Sequence, residues 1–209
     1  MNKNKNKNKN KKKNKKTKPR KTQLKIIITT PHWYCLNETD NICDQTSLLN
    51  GILLHAMLRE ELNNKVRLLS PPPLHRTTSD ANRSIQGSKL GIYHPSLKPF
   101  LSDLKRNLNY KPKLLLDIHS YSQSNNLPFY VIYLDIRDNF AYGEIFAKKI
   151  CQMMNLNYSP EMIKLGTHDN EILRLSIKYK SVKLSLLIEL YDGNTDFIRY
   201  QLLKAINHV

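Results

Sequence analysis

The chain has 209 residues and a formal net charge of +17, with 34 Lys and Arg against 17 Asp and Glu. This length suits one ordinary domain with its own core, and no stretch is long and apolar enough to cross a membrane. The charge is unevenly placed, because residues 1–22 hold twelve Lys or Arg and no acid, which leaves +5 for residues 23–209. The charge total therefore does not indicate a folded nucleic-acid-binding domain.

The Lys/Asn-rich segment 1–22 has no apolar residue after Met1. We therefore expect a disordered tail, followed by one domain over residues 23–209. Such a tail is able to bind nucleic acid weakly and nonspecifically, or to act as a nuclear address, although an extension without any role fits equally well. The three cysteines are sparse and odd in number and form no CxxC pair. This usage favours a reducing, intracellular setting, most simply the cytoplasm.

Strand-like and helix-like patterns alternate after the tail. Continuous apolar runs with β-branched residues predict buried strands, and apolar residues at helical spacing predict helices. In chain order we predict strand 24–30, helix 46–64, strand 65–70, a long polar loop 74–95, helix 96–109, strands 113–118 and 129–136, helices 139–155 and 169–179, strand 182–191 and helix 195–207. This alternation predicts an α/β fold with three αβα layers around a mostly parallel mixed sheet.

Chemically useful residues stand at the ends of three predicted strands. His32 follows the first strand, Asp117 and His119 end the strand at 113–118, and Glu189 lies near the end of the last one. Parallel sheets bind ligands beyond the carboxyl ends of their strands, so these side chains are expected to meet. Neutral imidazoles and carboxylates are zinc ligands, and a catalytic zinc keeps one position for water. The pattern indicates a zinc site with His32 and His119 as two ligands.

A third zinc ligand is expected from the segment after His32. The candidates are Glu38, Asp40 and Asp44, of which we favour Asp44. The competing interpretation is that Asp44 or Thr46 only caps the helix that follows.

Two further features suggest catalytic and binding groups. Glu189 is a carboxylate in an otherwise apolar strand, which favours a general base over a simple salt bridge to a Lys or Arg. The loop after the second strand carries Arg76, Asp80, Asn82 and Arg83. Arginine and asparagine are suited to gripping a carboxylate or holding an oxyanion, but a plain exposed loop would have the same composition.

Six segments together resemble the N-formylglutamate amidohydrolase family, which is related to the zinc carboxypeptidases. In the family's order these are IIITTPHWYC (26–35), CDQTS (43–47), HRTTSDANR (75–83), LLLDIHSYS (114–122), GTHDNEI (166–172) and LLIELYD (186–192). The family usually has Gly soon after its first His, whereas Trp33 and Tyr34 follow here. The resemblance implies hydrolysis of an amide in a small carboxylate-bearing substrate. Because of this departure, the expected substrate is N-formylglutamate or another N-acyl amino acid.

The resemblance implies a phosphorylase/hydrolase-like fold and a role for each matching residue. One zinc ion per chain would be held by His32, Asp44 and His119, with Asp117 orienting His119. Glu189 would be the general base and Arg76 the oxyanion stabiliser. Asn82 and Arg83 would bind the carboxylate of the substrate.

Two other functions compete with this one. A two-metal phosphoesterase would use Asp117 and His119, with Gly166–Asp169 as a faint match to a second motif, but it needs more ligands than the sequence supplies. A catalytically inactive member of the same fold, which binds nucleic acid through its tail, would need no metal.

Overall fold

The computed structural model describes residues 25–36, 43–44, 46–63, 65–76, 80–82, 95–121, 127–133, 139–166, 170–179, 182 and 184–191. These residues form six strands, four α-helices and one 3-10 turn. The elements are β1 (Ile26–Thr29), α1 (Ser47–Glu61), β2 (Val66–Leu69), α2 (Leu97–Leu108), β3 (Leu114–Tyr121), β4 (Phe129–Tyr133), α3 (Asn139–Met154), the 3-10 turn Pro160–Met162, β5 (Ile163–Leu165), α4 (Glu171–Lys178) and β6 (Leu184–Tyr191). The predicted tail 1–22 and the predicted helix 195–207 lie outside the described residues. Among the described helices, none is long and apolar enough to cross a membrane.

The strands form a single mixed sheet in the order β2-β1-β3-β6-β4-β5. β2, β1, β3 and β6 are parallel, whereas β4 runs antiparallel to β6 and parallel to β5. β3 and β6 lie in the middle and are paired over their full length. The carboxyl ends of β1, β3 and β6 therefore meet at one edge of the sheet.

The two faces of the sheet are covered by different helices. One core cluster packs α1 and α3 on one face, through side chains such as Leu54 and Phe146. The other packs α2 and α4 on the opposite face, against Leu115 of β3 and Leu187 of β6. Since every second side chain of a strand shares a face, Asp117, His119 and Glu189 lie on the face that α2 and α4 cover. This is the predicted three-layer αβα architecture.

α1 has the predicted position but a different buried face. The apolar residues that define the helical pattern include Leu49 and Ile52, which are 53% and 45% exposed. The helix instead buries a face that combines small or polar residues, among them Gly51, with Leu54 and Leu58. A Cβ atom at Gly51 would lie 2.5 Å from the Thr30 side chain. Close approach of the helix to the end of β1 thus outweighs burial of its larger apolar stripe.

Candidate metal centre

Three buried side chains converge at the carboxyl edge of the sheet. His32 lies in the turn after β1, Asp44 precedes α1, and His119 lies in β3. One ligand atom from each of the three lies within 4.8 Å of the other two. The imidazole centroids of His32 and His119 are 4.8 Å apart, with their planes at 80°. The structure therefore brings together the three residues expected from the sequence to bind zinc.

Each histidine contacts a different carboxylate through its Nε2 atom. His32 Nε2 is 2.6 Å from Asp80 Oδ1, and His119 Nε2 is 3.2 Å from Asp117 Oδ2. When Nε2 carries the proton and donates it to the carboxylate, Nδ1 keeps its lone pair. The two Nδ1 atoms face Asp44 Oδ2, at 3.5 Å from His32 and 2.7 Å from His119. Carboxylates hold metal-binding histidines in this way, which fixes the tautomer and the orientation of the ring.

The polar atoms at the centre of this group fit a metal ion. His32 Nδ1 is buried and makes no hydrogen bond, while Asp44 Oδ2, also buried, has His119 Nδ1 at 2.7 Å. Buried polar atoms almost always have a partner, so the unpaired imidazole nitrogen beside this carboxylate oxygen suggests an ion. Two imidazole nitrogens and one carboxylate oxygen are a ligand set that zinc accepts in hydrolases, with a further position left for water.

The neighbouring charges alter the pKa values of the metal-free site. Burial acts to lower the pKa of His119, but Asp44 and Asp117 on either side raise it well above 6.5. Burial acts to raise the pKa of Asp44, and His119 and His32 overcome that effect and hold it well below its ordinary value. The pKa of Asp80 is likewise lowered against its burial, by His32 and Arg76. Both carboxylates are therefore ionised at neutral pH.

Asp117 is an orienting residue that is itself firmly held. Its side chain is fully buried, and it accepts hydrogen bonds from Thr29 Oγ1 at 2.6 Å and from Asn82 Nδ2 at 3.0 Å. Thr29 is the residue opposite Asp117 in the β1–β3 pairing. Asp117 is thus held in contact with His119, and its expected role in orienting that imidazole stays a prediction.

Asn82 is buried beside the carboxylates that contact the two histidines. Its side chain is 1% exposed, and its amide nitrogen lies within hydrogen-bond distance of Asp117 and His119. Its backbone NH donates to Asp80 Oδ1 at 2.9 Å. Asn82 therefore hydrogen-bonds to the carboxylates behind both histidines, and its expected contact with a substrate carboxylate stays a prediction.

Arg76 contacts the carboxylate of Asp80. Its Nε atom donates to Asp80 Oδ2 at 3.1 Å, and its side chain is 32% exposed. The contact places Arg76 next to the His32 side of the centre, with part of its guanidinium open to solvent. Arg83, the second arginine expected in the site, lies outside the described residues.

Glu189 lies beside the metal centre on β6. It is paired directly with His119 across the parallel strands β3 and β6, so both side chains lie on the same face of the sheet about 4.8 Å apart at the backbone. Burial raises the pKa of Glu189, while the nearby His119 opposes that rise. Among the described residues, no ion pair joins Glu189 to a Lys or Arg. The general-base role of Glu189 stays a prediction.

Tyrosines continue the same face beyond His119 and Glu189. Tyr121 of β3 and Tyr191 of β6 have ring centroids 5.7 Å apart, and Tyr121 is 5.4 Å from Tyr130 of β4. The Nζ atom of Lys164 lies 3.4 Å above the Tyr130 ring. A cluster of three tyrosine rings therefore lies next to His119 and Glu189 on this face, with the Lys164 ammonium group over one of the rings.

Of the two residues considered as a helix cap, Thr46 occupies the N-cap position of α1, and its side chain makes no capping hydrogen bond. Asp44 lies two residues before that position. The other ligand candidates, Glu38 and Asp40, lie outside the described residues. The cap of α4 is Asn170, whose side chain accepts from Leu173 NH at 2.9 Å.

Two parts of the site were missed by sequence reasoning. The sequence pattern marks Asp80 only as a polar loop residue, although its carboxylate lies 2.6 Å from His32 Nε2. The second is a disulfide between Cys35 and Cys43, with Cys151 free and buried. A disulfide is typical of oxidising compartments, so it does not fit the reducing setting that the cysteine count suggested. The signal for this disulfide in the sequence is the short separation of Cys35 and Cys43, which are eight residues apart.

The sequence matches no protein-family model and no curated protein. Among solved structures, the chain is similar to a protein from Shewanella denitrificans OS217 that is provisionally described as a metallopeptidase. The TM-score is 0.55 at 14% identity, over 88% of this chain and 71% of that chain. It is also similar to the CwlD amidase of Clostridioides difficile, solved with the GerS lipoprotein, with a TM-score of 0.53 at 15% identity over 88% of this chain and 97% of that chain. These similarities confirm the predicted α/β fold class, which the chain shares with an amidase.

Proposed function

We propose that this protein is a zinc-dependent hydrolase that cleaves an amide bond in a small, carboxylate-bearing molecule. The observation that carries the proposal is the convergence of His32 Nδ1, His119 Nδ1 and Asp44 Oδ2, with a carboxylate behind each imidazole. A structural zinc site is usually closed by four protein ligands, whereas three ligands with one open position are typical of catalysis. Among the described residues, the metal-binding group has three members.

The chain supplies an acid–base group next to these ligands. Zinc, when bound at His32, Asp44 and His119, supplies a Lewis acid that polarises a carbonyl and acidifies water. Glu189 lies in register with His119 and is our general base: its carboxylate accepts the proton of the attacking water and then delivers that proton to the departing amine. Its raised pKa suits both halves of this task, because a carboxylic acid with a higher pKa holds the proton long enough to pass it on.

The remaining polar residues would orient rather than react. Asp80 and Asp117 would orient the two imidazoles, and Asn82 donates hydrogen bonds to both of these carboxylates. Arg76 pairs with Asp80 and keeps part of its guanidinium exposed, which is compatible with a contact to the carbonyl oxygen of the substrate. Arg83 remains our candidate for the carboxylate of the substrate.

The substrate class rests on the resemblance to the N-formylglutamate amidohydrolases. N-acyl amino acids join an amide to a free carboxylate in a small molecule, and N-formylglutamate is one of them. The shared fold with the CwlD amidase is compatible with amide hydrolysis.

The test is release of free amine from a panel of N-acyl amino acids by the zinc-loaded full-length protein. The panel pairs each substrate with its carboxamide analogue, which lacks the free carboxylate. We expect hydrolysis of at least one N-acyl amino acid, and we expect Glu189→Gln to lose roughly 10²–10⁴-fold in kcat while it keeps zinc. Glu60→Gln, on the exposed side of α1, is the matched control. Turnover that is equal in the two variants would remove Glu189 from the chemistry.

A further inference from the structure

The Cys35–Cys43 disulfide connects the segments that carry two of the three metal ligands. Cys35 is three residues after His32, and Cys43 directly precedes Asp44. The backbone NH of Asp44 also donates to the carbonyl oxygen of His32 at 3.0 Å. The covalent bond and the hydrogen bond thus join the same two stretches of chain, on either side of the ligand atoms.

Asp44 Oδ2 lies 2.7 Å from His119 Nδ1, but the backbone of Asp44 has few other constraints among the described residues. It lies before α1 rather than in it, and its carbonyl oxygen accepts from Ser47 NH at 3.1 Å. Two residues later, Thr46 NH donates to Ser120 Oγ at 3.2 Å. His32, by contrast, lies in the turn that follows β1, and the adjacent Trp33 donates from its indole to Pro71 O at 3.0 Å. Asp44 is therefore the ligand whose position depends most on a cross-link to the better-anchored His32 segment.

We propose that the Cys35–Cys43 disulfide is a positioning element of the metal centre, and that its reduction weakens metal binding by releasing Asp44 from His32. The inference rests on the proposed metal site. In the reduction, the S–S bond breaks and two thiols form. A phosphine supplies two electrons and takes the oxygen of a water molecule to become the phosphine oxide, while that water supplies the two protons; a dithiol supplies both electrons and both protons and becomes a disulfide. In the oxidised state the disulfide restricts the separation of the segments that carry His32 and Asp44. Less conformational entropy is therefore lost when the metal binds.

The first experiment measures zinc affinity of the full-length protein by competition with a chromophoric chelator. Oxidised protein is compared with protein reduced by tris(2-carboxyethyl)phosphine, which is removed under anaerobic conditions before titration. We expect reduction to weaken zinc binding by roughly tenfold or more, as loss of a ligand-orienting group does. A Cys35→Ser, Cys43→Ser double variant should bind as weakly as the reduced protein and should not respond to the reductant.

Cys151→Ala is the matched control, because Cys151 is a buried free thiol outside the centre. This variant should keep the full redox effect on zinc affinity. Equal zinc affinity of the oxidised and reduced wild type, or tighter binding by the reduced form, would overturn the positioning role and leave the metal site standing. Failure of the oxidised protein to bind zinc would overturn both.

A second measurement needs no variant and covers the case in which the reduced or double-variant protein is poorly folded. Coupling between two equilibria is reciprocal, so zinc must stabilise the disulfide by the factor by which the disulfide strengthens zinc binding. Saturating zinc should therefore slow the reduction of the Cys35–Cys43 disulfide and raise the reductant concentration at which half of it is reduced. The extent of reduction is measured by thiol alkylation and mass spectrometry. Reduction that is indifferent to zinc would contradict the proposal.

Discussion

The substitution Asp80→Asn tests whether the carboxylate behind His32 matters to the metal centre. Asp80 Oδ1 lies 2.6 Å from His32 Nε2, and its other oxygen accepts from Arg76. Asparagine keeps the shape but removes the charge and halves the accepting capacity of the group. Loss of such an orienting partner typically costs about 10–100-fold in metal affinity, which is about 1.4–2.7 kcal/mol. We expect a loss of this size, with little contribution from the ion pair between Asp80 and the partly exposed Arg76.

The assay is zinc competition against a chromophoric chelator, with urea unfolding of the metal-free proteins measured in parallel. Asp103→Asn is the matched control, because Asp103 also pairs with an arginine, Arg106, but on the exposed surface of α2. The control should bind zinc like the wild type. A zinc affinity of Asp80→Asn within about threefold of the wild type would refute the reasoning, as would an equal loss in Asp103→Asn.

Three further predictions concern protons, packing and substrate. In metal-free protein His119 has a pKa well above 6.5 and is protonated at neutral pH, so zinc must displace that proton. Zinc affinity should accordingly rise as pH increases from 6 to 8, and a flat profile in chelator competition would contradict this. Gly51→Ala should lower the urea midpoint, because its Cβ would lie 2.5 Å from the buried Thr30 side chain; an unchanged midpoint would show that α1 simply shifts. Arg83→Ala should raise KM for an N-acyl amino acid more than it lowers kcat, whereas equal losses in kcat and kcat/KM would assign Arg83 to the transition state.

Strand patterns and strand ends were the informative part of the sequence. The buried run before His119 predicts β3, and the rule that parallel strands present ligands at their carboxyl ends places His32, His119 and Glu189 together. Asp44 required a choice among three acidic residues that spacing does not decide. These features can be predicted from the sequence because they depend on local periodicity and on one general rule of sheet architecture.

Other features depend on contacts between distant segments and were not accessible. The face that α1 buries is set by how closely Gly51 approaches Thr30, which the apolar pattern of the helix does not report. Asp80 lies 48 residues from His32 in sequence, and its role is visible only when the loop lies against the turn after β1. Short β5 is held by pairing with β4 rather than by any pattern of its own.

The central claim is that His32, Asp44 and His119 hold a catalytic zinc ion, and metal content tests it most directly. Purified full-length wild type, His119→Ala and the control His55→Ala, which changes a histidine on α1 outside the centre, would be compared by elemental analysis. We predict about one zinc ion per chain in the wild type and in His55→Ala, and little zinc in His119→Ala. No zinc in the wild type after reconstitution, or equal zinc in His119→Ala, would contradict the account.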